Sequence, residues 1–140
     1  MSSPITLLII DDDDDDRQFF MEVVEQINPS VISTQSSSGQ EALHALHNNI
    51  ALPDAIFLDL NMPRLNGFQF LEQLKKNERT SAIPVIIYTT SKQKEDIEEA
   101  KRLGAAHYIT KPSCTKDLIK EIEFVLKNLL RNVENISVLN

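Results

Sequence analysis

The sequence predicts an α/β fold, a doubly wound five-stranded parallel sheet with five helices. Apolar runs such as LLII, AIFL and VIIY contain no polar alternation, which is typical of strands covered on both faces. Amphipathic stretches of helical length alternate with these runs. Right-handed crossovers between parallel strands would then place helices on both sides of the sheet.

The apolar runs predicted as strands cover residues 5–10, 31–34, 55–58, 85–88 and 107–109. The first helix follows from the spacing of Phe20, Val23, Val24 and Ile27. A capping box at residues 38–41 opens the second helix, residues 67–76 and 93–103 form the next two, and the last begins near Thr115.

Length and composition favour one domain over residues 1–140, with a helical extension or tail at 131–140. The net charge of −7 argues against binding a nucleic-acid backbone, which requires clustered Lys and Arg. The lone cysteine, Cys114, cannot form an internal disulfide. The sequence contains no targeting segment and no apolar stretch of about 18 residues. We therefore expect a cytoplasmic location and no membrane association.

Polar residues that could carry chemistry stand directly after four of the predicted strands. Ligands of such sheets bind beyond the carboxyl ends of the strands, so we expect these side chains to converge: Asp11, Asp12, Asp59, Thr89 and Lys111. Three converging carboxylates raise one another's pKa unless a cation lies among them. Hard oxygen ligands on a rigid scaffold suit Mg²⁺.

Six consecutive aspartates, residues 11–16, follow the first strand. Such a run is usually a solvated acidic segment. The first two residues are fixed at the rim of the sheet because they continue an apolar strand. For residues 13–16 we expect solvent exposure and, for some of them, capping of the first helix.

Five elements, in order, resemble the response-regulator receiver family, with its CheY-like, flavodoxin-like fold. They are LLIIDD at 7–12, FLDLNMPRLNG at 57–67, VIIYTTS at 85–91 and YITKP at 108–112, together with the spacing of Thr89 and Lys111 from Asp59. The resemblance covers nearly the whole chain. It implies that Asp59 is the phospho-acceptor and that Thr89 and Lys111 contact the phosphoryl group.

The resemblance also implies a metal site for Mg²⁺ or Mn²⁺. Its ligands would be Asp11, Asp12, Asp59 and the backbone carbonyl of Asn61. Tyr108 occupies the position of the family's aromatic switch, which fills the space that Thr89 leaves on phosphorylation. A cis peptide bond before Pro112 would turn the loop after the fifth strand so that Lys111 points towards the site.

As a receiver, the chain would take its phosphoryl group from a sensor histidine kinase or a histidine phosphotransfer protein. It would act on a downstream protein partner by contact, without being an enzyme beyond its own phosphorylation and dephosphorylation. A phosphorelay intermediate or phosphate sink is the alternative. The TTS motif and the loop ERTSAIP are similar to small stand-alone regulators that partner phytochrome-type histidine kinases.

Two rival functions remain open. A haloacid-dehalogenase-type phosphatase also places an aspartate nucleophile after a strand, and Asp11-x-Asp13 fits superficially, but the 57–67 segment would then have no role. A receiver that serves purely as a binding module is less compatible with a complete set of site residues.

Phe124 falls outside the apolar stripe of the last helix. An exposed aromatic there could anchor a partner or form a homodimer through the fourth helix, fifth strand and fifth helix. Alternatively, it packs over a neighbouring helix of the same chain.

Overall fold

The computed structural model describes residues 4–48 and 51–130, in which strands and helices alternate. The predicted extension at 131–140 lies outside the described residues. The elements, in chain order, are β1 Thr6–Ile10, α1 Asp14–Ile27, β2 Ile32–Ser36, α2 Gly39–Asn48, β3 Ala55–Leu58, α3 Gly67–Lys76, β4 Val85–Thr89, α4 Lys94–Arg102, β5 His107–Thr110 and α5 Thr115–Asn128.

The strands form one parallel sheet in the order β2-β1-β3-β4-β5, which confirms the predicted doubly wound fold. The strand order reverses at β1, which pairs with both β2 and β3. Ile10 and Leu58 are register partners at the carboxyl ends of β1 and β3. Asp11 and Asp59, the next residues in the chain, therefore leave the sheet side by side.

Each face of the sheet has its own apolar core. On one face, α1 packs against α5, and Phe20 lies between Phe57 and Tyr88 at ring-centroid distances of 4.7 and 5.6 Å. The other face is covered by side chains of α2, α3 and α4, including the fully buried Phe70, Leu71 and Leu74. Cores on both faces explain why β1, β3 and β4 read as continuous apolar runs.

Element boundaries differ from the prediction mainly at β2. The strand is Ile32–Ser36 rather than residues 31–34, because this edge strand carries exposed polar residues that give no apolar run. At the predicted capping box, the Glu41 N–H donates to Ser38 Oγ at 3.1 Å. A capping box with both of its reciprocal hydrogen bonds is formed instead by Asn66 and Gln69, where α3 begins.

None of the helices within the described ranges has the length and apolarity needed to cross a bilayer.

Gly67, the first residue of α3, lies against the backbone that follows β3. A Cβ atom at this position would be 2.4 Å from the Asp59 carbonyl oxygen and 2.8 Å from Leu60 Cα. The Gly67 N–H also donates to the Leu60 carbonyl at 3.0 Å. The absence of a side chain thus allows α3 to begin directly beside Asp59.

We predict that Gly67→Ala lowers the free energy of unfolding by about 1–3 kcal/mol, the usual cost of forcing extra volume into a packed site. Gly39→Ala is the matched control, because Gly39 also begins a helix and its added Cβ would approach no atom closer than 3.2 Å. The free energy of unfolding of Gly39→Ala should stay within about 1 kcal/mol of that of the wild type. Urea unfolding measures both, and equal effects would contradict this account of α3.

Two threonines are fully buried, yet their hydroxyl groups differ. Thr80 Oγ1 donates to the Leu74 carbonyl at 2.7 Å. Thr89 Oγ1, at the end of β4, has no hydrogen-bond partner within residues 4–48 and 51–130. A buried hydroxyl without a partner destabilises the fold, since it has lost its hydrogen bonds to water.

Replacement of each threonine by the isosteric valine should therefore have opposite effects. We predict that Thr80→Val lowers the free energy of unfolding by about 1–3 kcal/mol, because the Leu74 carbonyl loses its donor. Thr89→Val should leave it unchanged or raise it by up to about 2 kcal/mol. Denaturant unfolding of both variants provides the comparison, and a clear loss of stability in Thr89→Val would show that its hydroxyl has a stabilising partner.

Candidate functional site

Backbone hydrogen bonds hold two buried carboxylates at the carboxyl edge of the sheet. The Asp11 N–H donates to the Ser36 carbonyl at 3.1 Å, and the Asp59 N–H donates to the Ile10 carbonyl at 3.0 Å. These bonds extend the ladder of β1 beyond its last residue. Asp11 is 0% exposed and Asp59 is 5% exposed. The site's acids are thus fixed by the sheet rather than by mobile loops.

Lys111 supplies a buried positive charge between these acids. Its backbone N–H donates to the Thr89 carbonyl at 2.7 Å, which fixes the chain just after β5. Its ammonium lies 2.7 Å from Asp11 Oδ2, 2.7 Å from Asp16 Oδ2 and 3.7 Å from Asp59 Oδ2. Lys111 therefore contacts Asp11 and Asp16 more closely than Asp59.

Burial shapes the charge balance of this cluster. Burial raises the pKa of Asp11 to about 6, against the opposing influence of Lys111 and of the Asp13 N–H, which donates to Asp11 Oδ1 at 3.0 Å. Burial also opposes the charged form of Lys111. Its close pairs with Asp11 and Asp16 and the charge of Asp59 outweigh that effect, so the pKa of Lys111 lies above its ordinary value.

Asp12 completes a group of three carboxylates. Asp11, Asp12 and Asp59 each offer one oxygen, and these oxygens lie within 4.8 Å of one another. Asp12 is exposed, so the group is open to solvent on one side. Asn61 lies on the exposed rim two residues after Asp59, with its N–H 3.5 Å from Asp59 Oδ1. The structure thus brings together the side chains for which the sequence predicts a metal site.

Thr89 and Tyr108 lie on the β4–β5 side of the site. Thr89, with its unpartnered hydroxyl, is the register partner of Thr110, which directly precedes Lys111. Tyr108 is half-buried against the α2–α3–α4 core, and its hydroxyl donates to the Ser91 carbonyl at 2.9 Å. The tyrosine is therefore tied to the loop that follows Thr89.

The first turn of α1 contributes three contacts that the sequence did not predict. Asp16 pairs with Lys111, as described above. Arg17 Nη1 donates to the Asp11 carbonyl at 2.7 Å, and Arg17 Nε donates to Gln35 Oε1 at 2.9 Å. Asp16 lies one helical turn before the buried Phe20, and this i, i+4 spacing was the available signal that it faces inward.

Asp13 serves as the N-cap of α1, with its Oδ1 accepting from the Asp16 N–H at 3.0 Å, so the expectation that this run caps the helix is confirmed. This role leaves the Asp11-x-Asp13 phosphatase interpretation without its second acid. The cis bond expected before Pro112 is absent, since the described residues contain no cis peptide. Lys111 reaches the site through its backbone bond to Thr89 instead.

Phe124 is 43% exposed, one of two large apolar side chains that are exposed within the described ranges. Its ring packs against the His107 ring of β5, at a centroid distance of 4.9 Å. His107 Nε2 also lies 3.6 Å from Glu121 Oε1. The face formed by β5 and α5 therefore contains a partly covered aromatic.

Comparison with known proteins points to the same kind of domain as the sequence motifs and the geometry of the site. The family model described as the response regulator receiver domain matches residues 7–123. Protein PilH of Pseudomonas aeruginosa is 51% identical over 74 residues, which cover 53% of this chain and 61% of PilH. A protein-glutamate methylesterase/protein-glutamine glutaminase of Methanococcoides burtonii is 32% identical over 87% of this chain and 34% of its own length. The matches thus span less than two thirds of these relatives.

The matches to solved structures cover most of this chain and most of the matched chain. The phosphorylated cyanobacterial phytochrome response regulator RcpA is similar with a TM-score of 0.79 and 27% identity, over 87% of this chain and 93% of RcpA. The regulator RPA3017, from red-light signalling in R. palustris, has a TM-score of 0.80 and 28% identity, over 92% and 95%. The Mn²⁺-bound form of the regulator Rcp1 matches with a TM-score of 0.79, over 93% and 97%.

The sheet is parallel, in the order 2-1-3-4-5, with acids after β1 and β3, a threonine at the end of β4 and a lysine after β5. This arrangement agrees with the family match over residues 7–123. The chain belongs to the response regulator receiver domain family and is CheY-like in fold.

Proposed function

We propose that this chain is a two-component response regulator that accepts a phosphoryl group on Asp59. The proposal rests on the groups that surround the Asp59 carboxylate. Asp59 lies beside two further acids, with the Lys111 ammonium 3.7 Å away, at the edge where β4 ends in the unpartnered hydroxyl of Thr89. A nucleophile, cations and a spare hydrogen-bond donor are what phosphoryl transfer to a carboxylate requires.

The donor set fits a divalent metal. Three carboxylate oxygens within 4.8 Å of one another are hard ligands, the kind that Mg²⁺ and Mn²⁺ prefer. Asp11, Asp12, Asp59 and the backbone carbonyl of Asn61 would hold the ion. When bound, it would neutralise charge on the carboxylates and on the transferred phosphoryl group. The Mn²⁺-bound form of the similar regulator Rcp1 supports the assignment.

The transfer itself is a displacement at phosphorus. An Asp59 carboxylate oxygen forms a bond to phosphorus as the phosphorus–nitrogen bond of a donor phosphohistidine breaks, and the electron pair leaves with the imidazole nitrogen. Lys111 and Thr89 would each donate a hydrogen bond to the phosphoryl oxygens. The donor would be a sensor histidine kinase or a histidine phosphotransfer protein, and similarity to RcpA favours a phytochrome-type kinase.

The output would be a protein contact made by the receiver. We assign residues 1–140 to one receiver domain and place the chain in the cytoplasm. It would regulate a downstream partner or pass the phosphoryl group on as a relay intermediate or sink. The net charge of −7 disfavours direct nucleic-acid binding.

The position of the Tyr108 side chain would depend on whether Asp59 is phosphorylated. Its hydroxyl donates to the Ser91 carbonyl, two residues after Thr89, so a movement of Thr89 towards a phosphoryl oxygen would disturb this bond. The ring, half-buried in the present state, would then turn further inward. Such population shifts typically involve about 1–3 kcal/mol.

The acceptor and metal assignments predict separable losses. Asp59→Asn should abolish covalent phosphoryl uptake from acetyl phosphate, because the nucleophile is lost. Asp12→Ala should weaken Mg²⁺ binding at least about tenfold, since one of three carboxylate ligands is lost. Mass spectrometry measures the first and calorimetry the second. Asp15→Ala is the matched control, because Asp15 is exposed in the same acidic run and outside the metal cluster.

Phosphoryl uptake that survives in Asp59→Asn but disappears in Asp11→Asn would contradict the acceptor assignment and favour the phosphatase interpretation. Equal Mg²⁺ affinity in Asp12→Ala and Asp15→Ala would remove the metal assignment.

The β5–α5 face supplies the last prediction for this function. We propose a homodimer or partner contact across α4, β5 and α5, with the exposed Phe124 as its anchor. Beryllofluoride, a phosphoryl mimic, should strengthen self-association, and Phe124→Ala should weaken it about tenfold or more. Analytical ultracentrifugation measures this. Ile32→Ala, at the other exposed apolar side chain, is the control and should have no effect. A wild type that stays monomeric with the mimic would rule out the homodimer.

A further inference from the structure

The ammonium of Lys111 contacts one acid at the edge of the sheet and another in α1. Asp16 Oδ2 lies 2.7 Å from Lys111 Nζ, in a hydrogen bond between residues 95 positions apart in the chain. Asp11 Oδ2 lies at the same distance on the other side, while Asp59 Oδ2 is 1 Å further away, at 3.7 Å. The preferred position of the ammonium is thus between Asp11 and Asp16, displaced from Asp59.

Several contacts fix Asp16 in this position. It is the third residue of α1, and its N–H is held by the Asp13 side chain at 3.0 Å. Arg17 ties the same turn to the Asp11 carbonyl. One turn later, Phe20 is wedged between Phe57 and Tyr88. The carboxylate of Asp16 is therefore presented to Lys111 by a turn that is anchored both to the site and to the core.

We propose that Asp16 is a positioning residue that holds Lys111 away from Asp59 and so opposes phosphorylation. This proposal rests on the function assigned to Asp59 above. An incoming phosphoryl group has to draw the ammonium out of its pair with Asp16, and Asp16 adds a negative charge beside a site that must accept more. The carboxylate of Asp16 is 39% exposed, whereas that of Asp11 is fully buried, so the bond to Asp16 is the easier one to release.

The chain offers a control of equal charge. Asp15 is adjacent to Asp16 and exposed, and its side chain forms no ion pair with Lys111, whose carboxylate partners among the described residues are Asp11, Asp16 and Asp59. Asp16→Asn and Asp15→Asn each remove one negative charge from the first turn of α1. Only Asp16→Asn removes a charge that pairs with Lys111. A difference between the two variants therefore isolates the contact from the general effect of charge.

The experiment measures the rate of phosphorylation by acetyl phosphate and the affinity for beryllofluoride, both at saturating Mg²⁺. Relative to Asp15→Asn, Asp16→Asn should increase both by about two- to fivefold, the size expected from the loss of one partly exposed ion pair. In a Lys111→Ala background the advantage of Asp16→Asn should disappear, because the two residues act through one contact. A purely structural role of Asp16 would not produce this dependence.

A second measurement covers the case in which Lys111→Ala reacts too slowly. In ¹⁵N-labelled protein, Asp16→Asn should shift the side-chain ammonium signal of Lys111, while Asp15→Asn should leave it in place. Equal rates and affinities in Asp16→Asn and Asp15→Asn, or a Lys111 signal that neither variant moves, would overturn the role of Asp16. A wild type that takes no phosphoryl group at all would instead overturn the function assigned to Asp59.

Discussion

Like charges forced together at the edge of a buried sheet are the constraint on which the rest of this structure depends. Asp11 and Asp59 follow paired residues of β1 and β3, so the parallel register places them side by side, with carboxylate oxygens within 4.8 Å of each other. Burial is the main cause that disfavours the charged form of Asp11, and the charge of Asp59 adds a smaller repulsion. The ammonium of Lys111, delivered by β5, offsets part of this repulsion. The same lysine connects the sheet to α1 through Asp16.

The site contains groups whose burial is unfavourable, in contrast to the apolar cores that hold it. The two apolar cores are closely packed around fully buried aromatic and aliphatic side chains. At the sheet edge, by contrast, Asp11 is a buried acid whose pKa is raised to about 6, and Thr89 has a buried hydroxyl without a described partner. Both features are unfavourable on their own, and a bound cation and phosphoryl group would offset them. Such local destabilisation is typical of functional sites.

The sequence was informative wherever structure follows from the order of strands. The parallel fold could be predicted because β1, β3 and β4 are buried on both faces and read as apolar runs. The convergence of Asp11, Asp12, Asp59 and Lys111 followed from their places directly after strands. Contacts that depend on how a helix docks could not be read in this way. The pair of Asp16 with Lys111 requires the tilt and depth of α1, and the packing of Phe124 on His107 depends on where α5 crosses β5.

The central claim is that Lys111 exchanges partners when the site is filled. A crystal structure with Mg²⁺ and beryllofluoride tests it most directly, through the position of one nitrogen atom. The account predicts that Lys111 Nζ moves from Asp16 to a hydrogen bond with a fluorine atom on Asp59, while Thr89 Oγ1 donates to another and Tyr108 releases the Ser91 carbonyl. A Lys111 ammonium that remains 2.7 Å from Asp16, beside an unbonded Thr89 hydroxyl, would contradict it.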